Sequence, residues 1–378
     1  MESDRRDALR ALSALAASAA LPAAAATDAA GGKPPRPAQH LRKIATEEAC
    51  SVPEVAAQLR QAARTLGPNL DLFLVNGIYN APPDEHPPFL SELLDIDAGR
   101  LAVMDANGVD MHLLSLTAPG VQMFDADTAV ELARVANDAL AAARNKHPTR
   151  FAALASFAPQ DPKRAVQEME RAVNDLHMNG FIVNSHTNNE YLDLPKYWPI
   201  LEAAEALDRA LYIHPRAPSD GMAAPFRDYA MEPAVWGYGM ETGTHAVRLM
   251  LGGVFDRFPK LKIVLGHMGE AVPFWLWRLD FMGKPGVANF KRLRPNKLLP
   301  SEYFRQNFAI TTSGVEDPLA LRYAIDKLGV ERVMWAIDYP YQPTTPAVKF
   351  IETAPLSDTE RALVAHGNAE RIFRIAPA

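Results

Sequence analysis

Five ionisable side chains stand at the ends of short apolar segments, where a buried β-strand would stop. They are Glu47 and Glu48 after one segment, His214 and His267 after two others, and Asp338 after a fourth. Carboxylate and imidazole groups of this kind ligate divalent metals or transfer protons. If the strands converge, the five side chains would meet at one opening, where burial is costly without a metal or mutual pairing. The pattern therefore predicts a metal-dependent active site.

Each of these residues also has a purely structural interpretation. A single His after a strand can be a hydrogen-bonded structural residue, Glu47-Glu48 could form an exposed turn, and Asp338 before Tyr-Pro could begin a turn. Their conjunction at strand ends is what favours the metal site. One imidazole with two carboxylates, completed by water, suits Mn²⁺ or Zn²⁺. Cys50 is near enough in sequence to reach the site, although the pattern favours a small buried thiol.

The elements that must position these residues alternate along the chain. Apolar, often β-branched segments predict eight strands, at 41–46, 109–116, 150–156, 180–185, 209–214, 261–267, 307–313 and 332–338. Helical spacing and Asp or Asp-Pro caps predict intervening helices that include 125–147, 161–177, 317–329 and 358–373. This alternation is typical of an α/β protein whose parallel sheet closes into a (β/α)₈ TIM barrel. The alternative is an open doubly wound sheet, but the Gly-rich phosphate turn usual after its first strand is missing from the sequence.

In such a barrel the active site forms at the C-terminal ends of the strands, where the five ionisable residues are predicted to stand. Residues 41–378 are expected to form one barrel domain. The stretch between the first two strands is longer than an ordinary βα connection and contains the Pro-rich sequence "YNAPPDEHPPF" at 79–89. Residues 50–100 are therefore predicted to form a lid-like insertion over the barrel mouth.

The N-terminus has the composition of a bacterial export signal. An arginine pair, Arg5-Arg6, and Arg10 precede an uncharged Ala-rich stretch from Ala11 to Ala26. The pair resembles a twin-arginine signal, so residues 1–26 are predicted to direct export to the periplasm. The Pro- and Gly-rich residues 27–40 are predicted to be a linker. If the Ala-rich stretch is only a tail without signal function, a cytoplasmic location is expected.

Composition narrows the class of protein further. The chain has 378 residues, of which 48% are apolar and 22% charged, as in a soluble globular protein with a large core. Its net charge of -6 argues against nucleic acid or anionic lipid as the main partner, and no membrane contact is expected after the signal. Because Cys50 is the single cysteine, an intramolecular disulfide is excluded.

Six segments of the chain resemble the amidohydrolase superfamily, in particular its decarboxylase branch, which includes γ-resorcylate, 2,3-dihydroxybenzoate and 5-carboxyvanillate decarboxylases. They are specific together rather than singly, and they spread over nearly the whole region after the predicted signal. Many relatives open with His-x-His or Glu-x-His, whereas this chain has Glu47-Glu48-Ala49, as in the 5-carboxyvanillate decarboxylase variant. The six segments are "KIATEEA" (43–49), "GFIVNSHTNNEYLD" (180–193), "LYIHPRAP" (211–218), "LGHMGEAVPFWLWRLD" (265–280), "TTSG" (311–314) and "AIDYPY" (336–341).

The resemblance implies that Glu47, His214 and Asp338 bind one divalent metal ion, Mn²⁺ or Zn²⁺. A lysine bridges two metals in binuclear relatives, but this chain has Asn184-Ser185-His186 in that region, so a single ion is expected.

His267 has two interpretations. It could be a further metal ligand, or it could be an acid/base that is paired with Glu270. We favour the second, because a carboxylate fixes the tautomer of an imidazole and raises its pKa. Glu270 could also simply begin the next helix, where a carboxylate is favourable.

The implied reaction is the metal-dependent, non-oxidative decarboxylation of an aromatic acid with a hydroxyl ortho to its carboxylate. Direct loss of CO₂ would leave an unstable aryl anion, so the ring carbon must be protonated first. By resemblance, Asp338 is the proton donor and His267 assists it.

The predicted substrate is a small aromatic carboxylate, which needs a cation for its oxygens and apolar walls for its ring. Arg278 and Arg216 are the candidate cations, with Arg100 a weaker one, and Arg278 could instead form a surface ion pair on a helix. Trp236 and Tyr238 are candidate walls, as is Phe89 from the insertion, although aromatic loop residues often only pack.

Two alternatives remain open at the level of sequence. The same mononuclear site could hydrolyse a lactone or an amide with a metal-activated water and Asp338 as base. An exported protein that binds a metal or an aromatic compound without turnover would carry similar residues. The resemblance further implies a homodimer or a homotetramer.

Overall fold

Eight parallel strands form one sheet in which each strand pairs with the next along the chain. Every strand residue is buried, as expected for a parallel sheet that is covered on both faces. The computed structural model describes residues 40–65, 70–80, 89–284 and 296–377. Within them the strands are β1 (Ile44–Cys50), β2 (Met111–Leu116), β3 (Phe151–Ser156), β4 (Gly180–Asn184), β5 (Ala210–His214), β6 (Ile263–Leu265), β7 (Phe308–Thr311) and β8 (Val333–Met334).

The first strand meets the chain that follows the last one, and this contact closes the sheet. The backbone N–H of Ala49 donates to the Tyr339 carbonyl at 2.8 Å. The Thr46 hydroxyl donates to the Trp335 carbonyl, also at 2.8 Å. The predicted (β/α)₈ barrel is therefore confirmed, and the open doubly wound alternative is wrong.

Helices cover the outside of the barrel, and their starts follow the predicted caps. The side chains of Asp125, Asp161 and Asp317 each accept backbone N–H groups of the first helical turn. The helices along the chain are Pro53–Thr65, Asp71–Val75, Phe89–Leu94, Ala98–Ala106, Ala126–Lys146, Pro162–Asn174, Trp198–Ala206, Asp220–Ala223, Gly237–Leu251, Val254–Arg257, Val272–Gly283, Pro300–Asn307, Pro318–Leu328, Thr344–Thr353, Asp358–Ala362 and Asn368–Ile372, together with a helical turn at His267–Glu270.

The helix predicted at 358–373 is interrupted. It consists of Asp358–Ala362 and Asn368–Ile372, joined by the wider turn Leu363–Gly367. At this turn the carbonyl of Val364 accepts the N–H of Trp335 at 2.8 Å instead of serving only the helix. The interruption thus ties the last helix to the strand end that precedes the predicted site.

The first strand lies later in the sequence than predicted. The prediction ended it at residue 46, with Glu47 and Glu48 beyond it, whereas β1 extends to Cys50 and includes both carboxylates. The pairing of β1 with β2 shifts register between Ala45 and Glu48, which marks a bulge. Bulges redirect neighbouring side chains, and here two consecutive carboxylates are buried in different surroundings. Sequence alternation could not show this, because it assumes a regular strand.

The segment between β1 and β2 contains four helices, from Pro53 to Ala106, in the part that the structure describes. The first three helices contribute residues that include Val55, Leu59 and Leu93 to a hydrophobic cluster that they share with β2 and helix Ala126–Lys146. The fourth, Ala98–Ala106, packs Met104 into the main barrel core. The proposed lid function of residues 50–100 remains a prediction.

The predicted export signal, residues 1–26, lies outside the described residues, as does all but the last residue of the predicted linker 27–40. Both assignments remain predictions. Residues Leu41–Ala378 form one compact unit. In the described ranges, no helix combines the length and the apolar character that crossing a bilayer requires.

The barrel core contains a cluster of phenylalanines on which stability is expected to depend. Phe308 is buried in β7, stacks on Phe304 with ring centroids 4.7 Å apart, and contacts Phe255 at 5.2 Å. We expect Phe308→Ala to lower the free energy of unfolding by about 3–5 kcal/mol, because it removes these contacts and leaves a cavity. Urea denaturation measures the change. Leu319→Ala is the control, since Leu319 is 80% exposed and its loss should cost less than about 0.5 kcal/mol. Equal effects of the two substitutions would contradict the prediction.

Candidate metal centre and active site

Glu47 is held by three hydroxyl groups that all donate to the same carboxylate oxygen. The hydroxyls of Tyr212, Thr311 and Ser313 contact Oε2, that of Thr311 at 2.8 Å. The other oxygen, Oε1, is buried and accepts no hydrogen bond from any described residue. The three donors thus fix the carboxylate so that one oxygen remains available at the barrel mouth. Burial alone would raise the pKa of Glu47, but the nearby His267 and His214 and the hydroxyl donors hold it below its usual value.

His214 is the last residue of β5 and presents one ring nitrogen to Glu47. Its Nδ1 lies 2.8 Å from the carbonyl of Pro215, which can only accept, so Nδ1 carries the proton. Nε2 is therefore unprotonated in the neutral ring, and it lies 3.5 Å from Glu47 Oε1. This arrangement, with a carbonyl fixing the tautomer, is the usual one for a histidine that ligates a metal.

His267 follows β6 and reaches the same space through an unusual turn. Residues His267 to Ala271 all have positive φ, between 47° and 78°, which is the left-handed region. His267 Nδ1 lies 2.7 Å from Glu270 Oε1, and Nε2 lies 3.8 Å from Glu47 Oε1 and 3.7 Å from Asp338 Oδ2. Burial disfavours a charged ring, but the carboxylates of Glu47 and Glu270 outweigh it and raise the pKa of His267.

A glycine makes room for this approach. A Cβ atom at Gly266 would lie 2.5 Å from Glu47 Oε1. Any other residue at this position would push the carboxylate out of place, because real Cβ contacts are never that short. The absence of a side chain at Gly266 therefore allows Glu47 to approach the backbone at the barrel mouth.

Asp338 follows β8 and completes the group. Its φ of 75° is in the left-handed region, and its Oδ1 is buried with no hydrogen-bond partner in the described chain. Burial raises the pKa of Asp338 above its ordinary value, although the nearby His267 lowers it. A raised pKa is what a carboxyl group needs to carry a proton near neutral pH.

These groups fit a divalent cation. Ligand atoms of Glu47, His267 and Asp338 all lie within 4.8 Å of one another, and His214 Nε2 is close to the same Glu47 oxygen. Glu47 Oε1 and Asp338 Oδ1 are buried without hydrogen bonds. His214 lies beside the Glu47 carboxylate and His267 beside both carboxylates, an arrangement that a cation would satisfy. Oxygen and imidazole ligands suit Mn²⁺ and Zn²⁺.

The structure brings the predicted ligands Glu47 and Asp338 together with His267 in one group. The predicted ligand His214 lies beside Glu47 Oε1, 3.5 Å away, and its role as a ligand remains a prediction. His267 thus meets the geometry of a ligand as well as that of an acid/base next to Glu270. Cys50 is outside the group, because its thiol donates to the carbonyl of Ser115 at 3.1 Å, and burial raises its pKa to about 11.

The predicted substrate-binding residues lie in different surroundings. Arg216 is buried and forms an ion pair with Asp71 of the insertion, and it donates to the His186 carbonyl at 2.9 Å. Tyr238 is half-buried, and its pKa is raised first by burial and then by Asp71. In the single chain, Trp236 and Arg278 are exposed. The substrate-binding roles of these four residues remain predictions.

Two further candidates from the sequence can be placed. Arg100 is fully buried, and its guanidinium donates to the backbone carbonyls of Ala49, Glu92 and Asp95, which gives it a structural role; its weaker substrate-binding interpretation remains a prediction. Phe89 packs edge-on against Tyr341, with ring centroids 4.9 Å apart.

Sequence analysis missed the residues that hold Glu47. Tyr212 lies two residues before His214 in β5, so strand alternation puts both on one face of the strand. Thr311 and Ser313 belong to the "TTSG" segment, where hydroxyl residues end a strand of the predicted barrel. Both signals were present in the sequence, but only the closed barrel shows that these hydroxyls reach a carboxylate on β1.

Comparison with known proteins agrees with this geometry. The family model described as "Amidohydrolase" matches residues 86–375. The γ-resorcylate decarboxylase of Polaromonas sp. strain JS666 is 38% identical over 303 residues, which cover 78% of this chain and 92% of that protein.

Solved structures are similar over the same region. The 5-carboxyvanillate decarboxylase of Sphingomonas paucimobilis is 58% identical with a TM-score of 0.86, covering 89% of this chain and all of that one. The 5-carboxyvanillate decarboxylase of Novosphingobium aromaticivorans, solved with manganese and 4-hydroxy-3-methoxy-5-nitrobenzoic acid, is 38% identical with a TM-score of 0.85, covering 88% and 96%. Because the family model matches more than half of the chain and these relatives match over most of their length, the chain belongs to the amidohydrolase family.

Proposed function

We propose that the protein is a metal-dependent, non-oxidative decarboxylase of an ortho-hydroxylated aromatic carboxylic acid. One structural observation carries the proposal: Glu47 Oε1 and Asp338 Oδ1 are buried without hydrogen bonds, and the imidazoles of His214 and His267 lie beside these two carboxylates. The relatives named above act on γ-resorcylate and 5-carboxyvanillate, which supports an aromatic acid as the substrate class.

Manganese is the metal that we propose, because the relative from N. aromaticivorans contains it. Glu47, His214 and Asp338 would hold it, with His267 as a further ligand or directly beside it. When bound, a divalent cation would polarise the phenolic oxygen and offset the charge of the carboxylate, which orients the ring.

Proton transfer to the ring is assigned to Asp338. The overall reaction takes up one proton, since an aryl carboxylate and H⁺ give the arene and CO₂. Asp338 protonates the ring carbon that bears the carboxylate, and the C–C bond then breaks with its electron pair returning to the ring as CO₂ leaves. The buried position of Asp338 and its raised pKa support this role.

His267 and Glu270 act next to this step. The hydrogen bond from His267 Nδ1 to Glu270 holds the imidazole with Nε2 directed at Asp338, 3.7 Å away. A positive charge on His267 is stabilised by Glu47 and Glu270, so the ring can hold a proton close to the donor. We therefore keep His267 as an assisting acid/base and Glu270 as the residue that orients it.

Contacts to the substrate are proposed for Tyr238 and Arg216. Burial raises the pKa of the Tyr238 hydroxyl most, and the nearby charges of Asp71, Arg216 and Asp338 also act on it, which supports a position of Tyr238 close to the site. Arg216 forms an ion pair with Asp71, so the carboxylate offsets part of its positive charge. Arg216 would therefore attract the substrate anion less strongly than an unpaired arginine.

A homo-oligomer is the proposed assembly, and one outer helix supports it. Helix Val272–Gly283 exposes Phe274 at 71%, Trp275 at 52% and Trp277 at 69%, with Arg278 beside them. Exposed apolar patches of this kind mark interaction surfaces. A second copy of the chain would cover this patch, which we call the aromatic patch.

Hydrolysis of a lactone or an amide was the alternative reaction considered from the sequence, and it would use the same metal group. The relatives compared here are decarboxylases, which favours carbon–carbon bond cleavage. Product analysis separates the two reactions, because CO₂ is released only by the decarboxylase and ring opening occurs only in the hydrolase.

The function is tested by metal removal and substrate turnover. We expect the purified protein to release CO₂ from 5-carboxyvanillate or another ortho-hydroxybenzoate in a panel, to lose this activity after chelation, and to regain it with Mn²⁺. Metal content and CO₂ are measured on the same samples. Undiminished CO₂ release from metal-free protein would exclude the proposed mechanism, and lactone opening without CO₂ would favour the hydrolase.

Asp338→Asn tests the proton donor. The amide cannot donate a proton to carbon, so we expect kcat to fall by about 10²- to 10⁴-fold while the fold is kept. Asp317→Asn is the matched control, since Asp317 is an exposed helix cap and Asn caps about equally well. An Asp338→Asn enzyme with wild-type kcat would remove Asp338 from the role.

Trp277→Lys tests the assembly. A charge in the aromatic patch should shift the mass measured by light scattering towards the monomer, because it would be buried in the interface. Tyr229→Lys is the control, as Tyr229 is 82% exposed and lies outside the patch. A monomeric wild-type protein would overturn the proposed oligomer.

A further inference from the structure

Glu48 contacts the backbone on both sides of Asp338. Its Oε1 accepts the N–H of Ile337 at 3.0 Å, and its Oε2 accepts the N–H of Tyr339 at 3.2 Å. Glu48 is 0% exposed. One buried carboxyl group therefore brackets Asp338, a member of the metal group, by binding the amide groups on both sides of it.

This bracket coincides with an unfavourable backbone conformation. Asp338 has a φ of 75°, in the left-handed region that non-glycine residues rarely adopt. Such conformations persist only where the surrounding structure holds them. Glu48 binds the two amide groups next to Asp338. It therefore stabilises the turn that directs the Asp338 side chain into the site.

The bulge in β1 allows consecutive residues to serve both sides of the site. Glu47 reaches the metal group, whereas Glu48 reaches the backbone after β8. The next residue, Ala49, donates its N–H to the carbonyl of Tyr339 at 2.8 Å. Both polar groups of the Tyr339 backbone are thus held by β1.

A buried cation from the insertion stabilises this arrangement. Arg100 donates to the carbonyl of Ala49 at 2.7 Å, and its guanidinium lies over the Tyr339 ring, 4.8 Å from the centroid. His112 lies on the other side, with Nε2 3.9 Å from Glu48 Oε2. Arg100 therefore anchors Ala49 and Tyr339, whereas His112 lies near Glu48 without a hydrogen bond to it, and neither belongs to the metal group.

We propose that Glu48 is the positioning residue for Asp338: by binding the amide groups on both sides, it holds Asp338 in the conformation that metal binding and proton donation require. The proposal rests on the proposed function only in that Asp338 is taken as a ligand and proton donor. It assigns no contact between Glu48 and the metal or the substrate.

The competing explanation is that Glu48 only joins β1 to β8. A purely structural residue would affect stability but not the affinity of the folded protein for metal. A positioning residue would weaken metal binding even in protein that remains folded, because Asp338 would leave the required conformation part of the time. Metal affinity therefore separates the two explanations.

The test is the variant Glu48→Gln, which keeps size and shape. Its amide oxygen can accept one of the two N–H groups, but its NH₂ group faces the other donor, so one bond is lost. We expect the dissociation constant for Mn²⁺, measured by titration of metal-free protein, to rise by about 10- to 100-fold. At saturating Mn²⁺, kcat should fall while KM for the aromatic acid stays near the wild-type value.

Glu168→Gln is the matched control. Glu168 is also a buried carboxylate, 5% exposed. It accepts a hydrogen bond from Asn137 at 2.7 Å and forms an ion pair with Arg171. It is distant in sequence from every residue of the metal group. It should lower the thermal midpoint of the metal-free protein but leave Mn²⁺ affinity unchanged. If Glu48→Gln does not fold, Glu48→Asp, which is too short to reach both amides, replaces it in the same comparison.

The outcomes are distinct. Mn²⁺ affinity of Glu48→Gln within about twofold of wild type, with a lowered thermal midpoint like that of Glu168→Gln, would overturn the proposal. A wild-type protein that binds Mn²⁺ but releases no CO₂ would overturn the proposed function, and the affinity comparison would still decide the role of Glu48. A wild-type protein that does not bind Mn²⁺ would overturn both.

Discussion

The structure depends on the burial of carboxylate oxygens that lack hydrogen bonds within the described part of the chain. Glu47 Oε1 and Asp338 Oδ1 are both in this condition. The imidazoles of His214 and His267 lie beside these carboxylates. Burying such groups is costly unless a cation or a proton compensates for it. Burial of these oxygens therefore lowers the stability of the barrel at its mouth. A divalent cation together with an acidic proton would offset this cost.

The side chains around the metal group are held in place by residues outside it. Three hydroxyls bind the second oxygen of Glu47, and a carbonyl and a carboxylate fix the tautomers of His214 and His267. Tyr212 lies in the middle of β5 and Thr311 at the end of β7, whereas the other partners lie in turns that follow strands. Because the strands are rigid and fully buried, they keep the ligand side chains close to the positions that metal binding requires.

Closure of the barrel is what brings the residues of the site together. β1 carries Glu47 and Glu48, and the chain after β8 carries Asp338, so the two ends of the sheet must meet before the carboxylates can face each other. The hydrogen bonds that close the sheet, at Ala49 and Tyr339, are adjacent to the residues of the site. An open sheet would leave these residues on opposite edges, which explains why barrel closure matters for the proposed chemistry.

The sequence by itself determined the fold class and the identity of the ionisable residues. Alternating apolar segments and capped helices are local signals, so the eight strands and helices such as Ala126–Lys146 and Pro318–Leu328 could be predicted within a few residues. The mouth residues Glu47, His214, His267 and Asp338 could be named because each follows an apolar segment. The break in the last helix could not be predicted from the sequence. The turn Leu363–Gly367 accepts a hydrogen bond from Trp335, which lies in a distant part of the chain.

Only the tertiary structure decided how these residues act. The bulge in β1 separates Glu47 from Glu48, and the left-handed backbone at His267 and Asp338 sets the direction of their side chains. The partners Tyr212, Thr311 and Ser313 are dispersed over two strands that are far from Glu47 in sequence. Bulges, left-handed residues and contacts between distant strands depend on packing across the closed barrel, and no local periodicity encodes them.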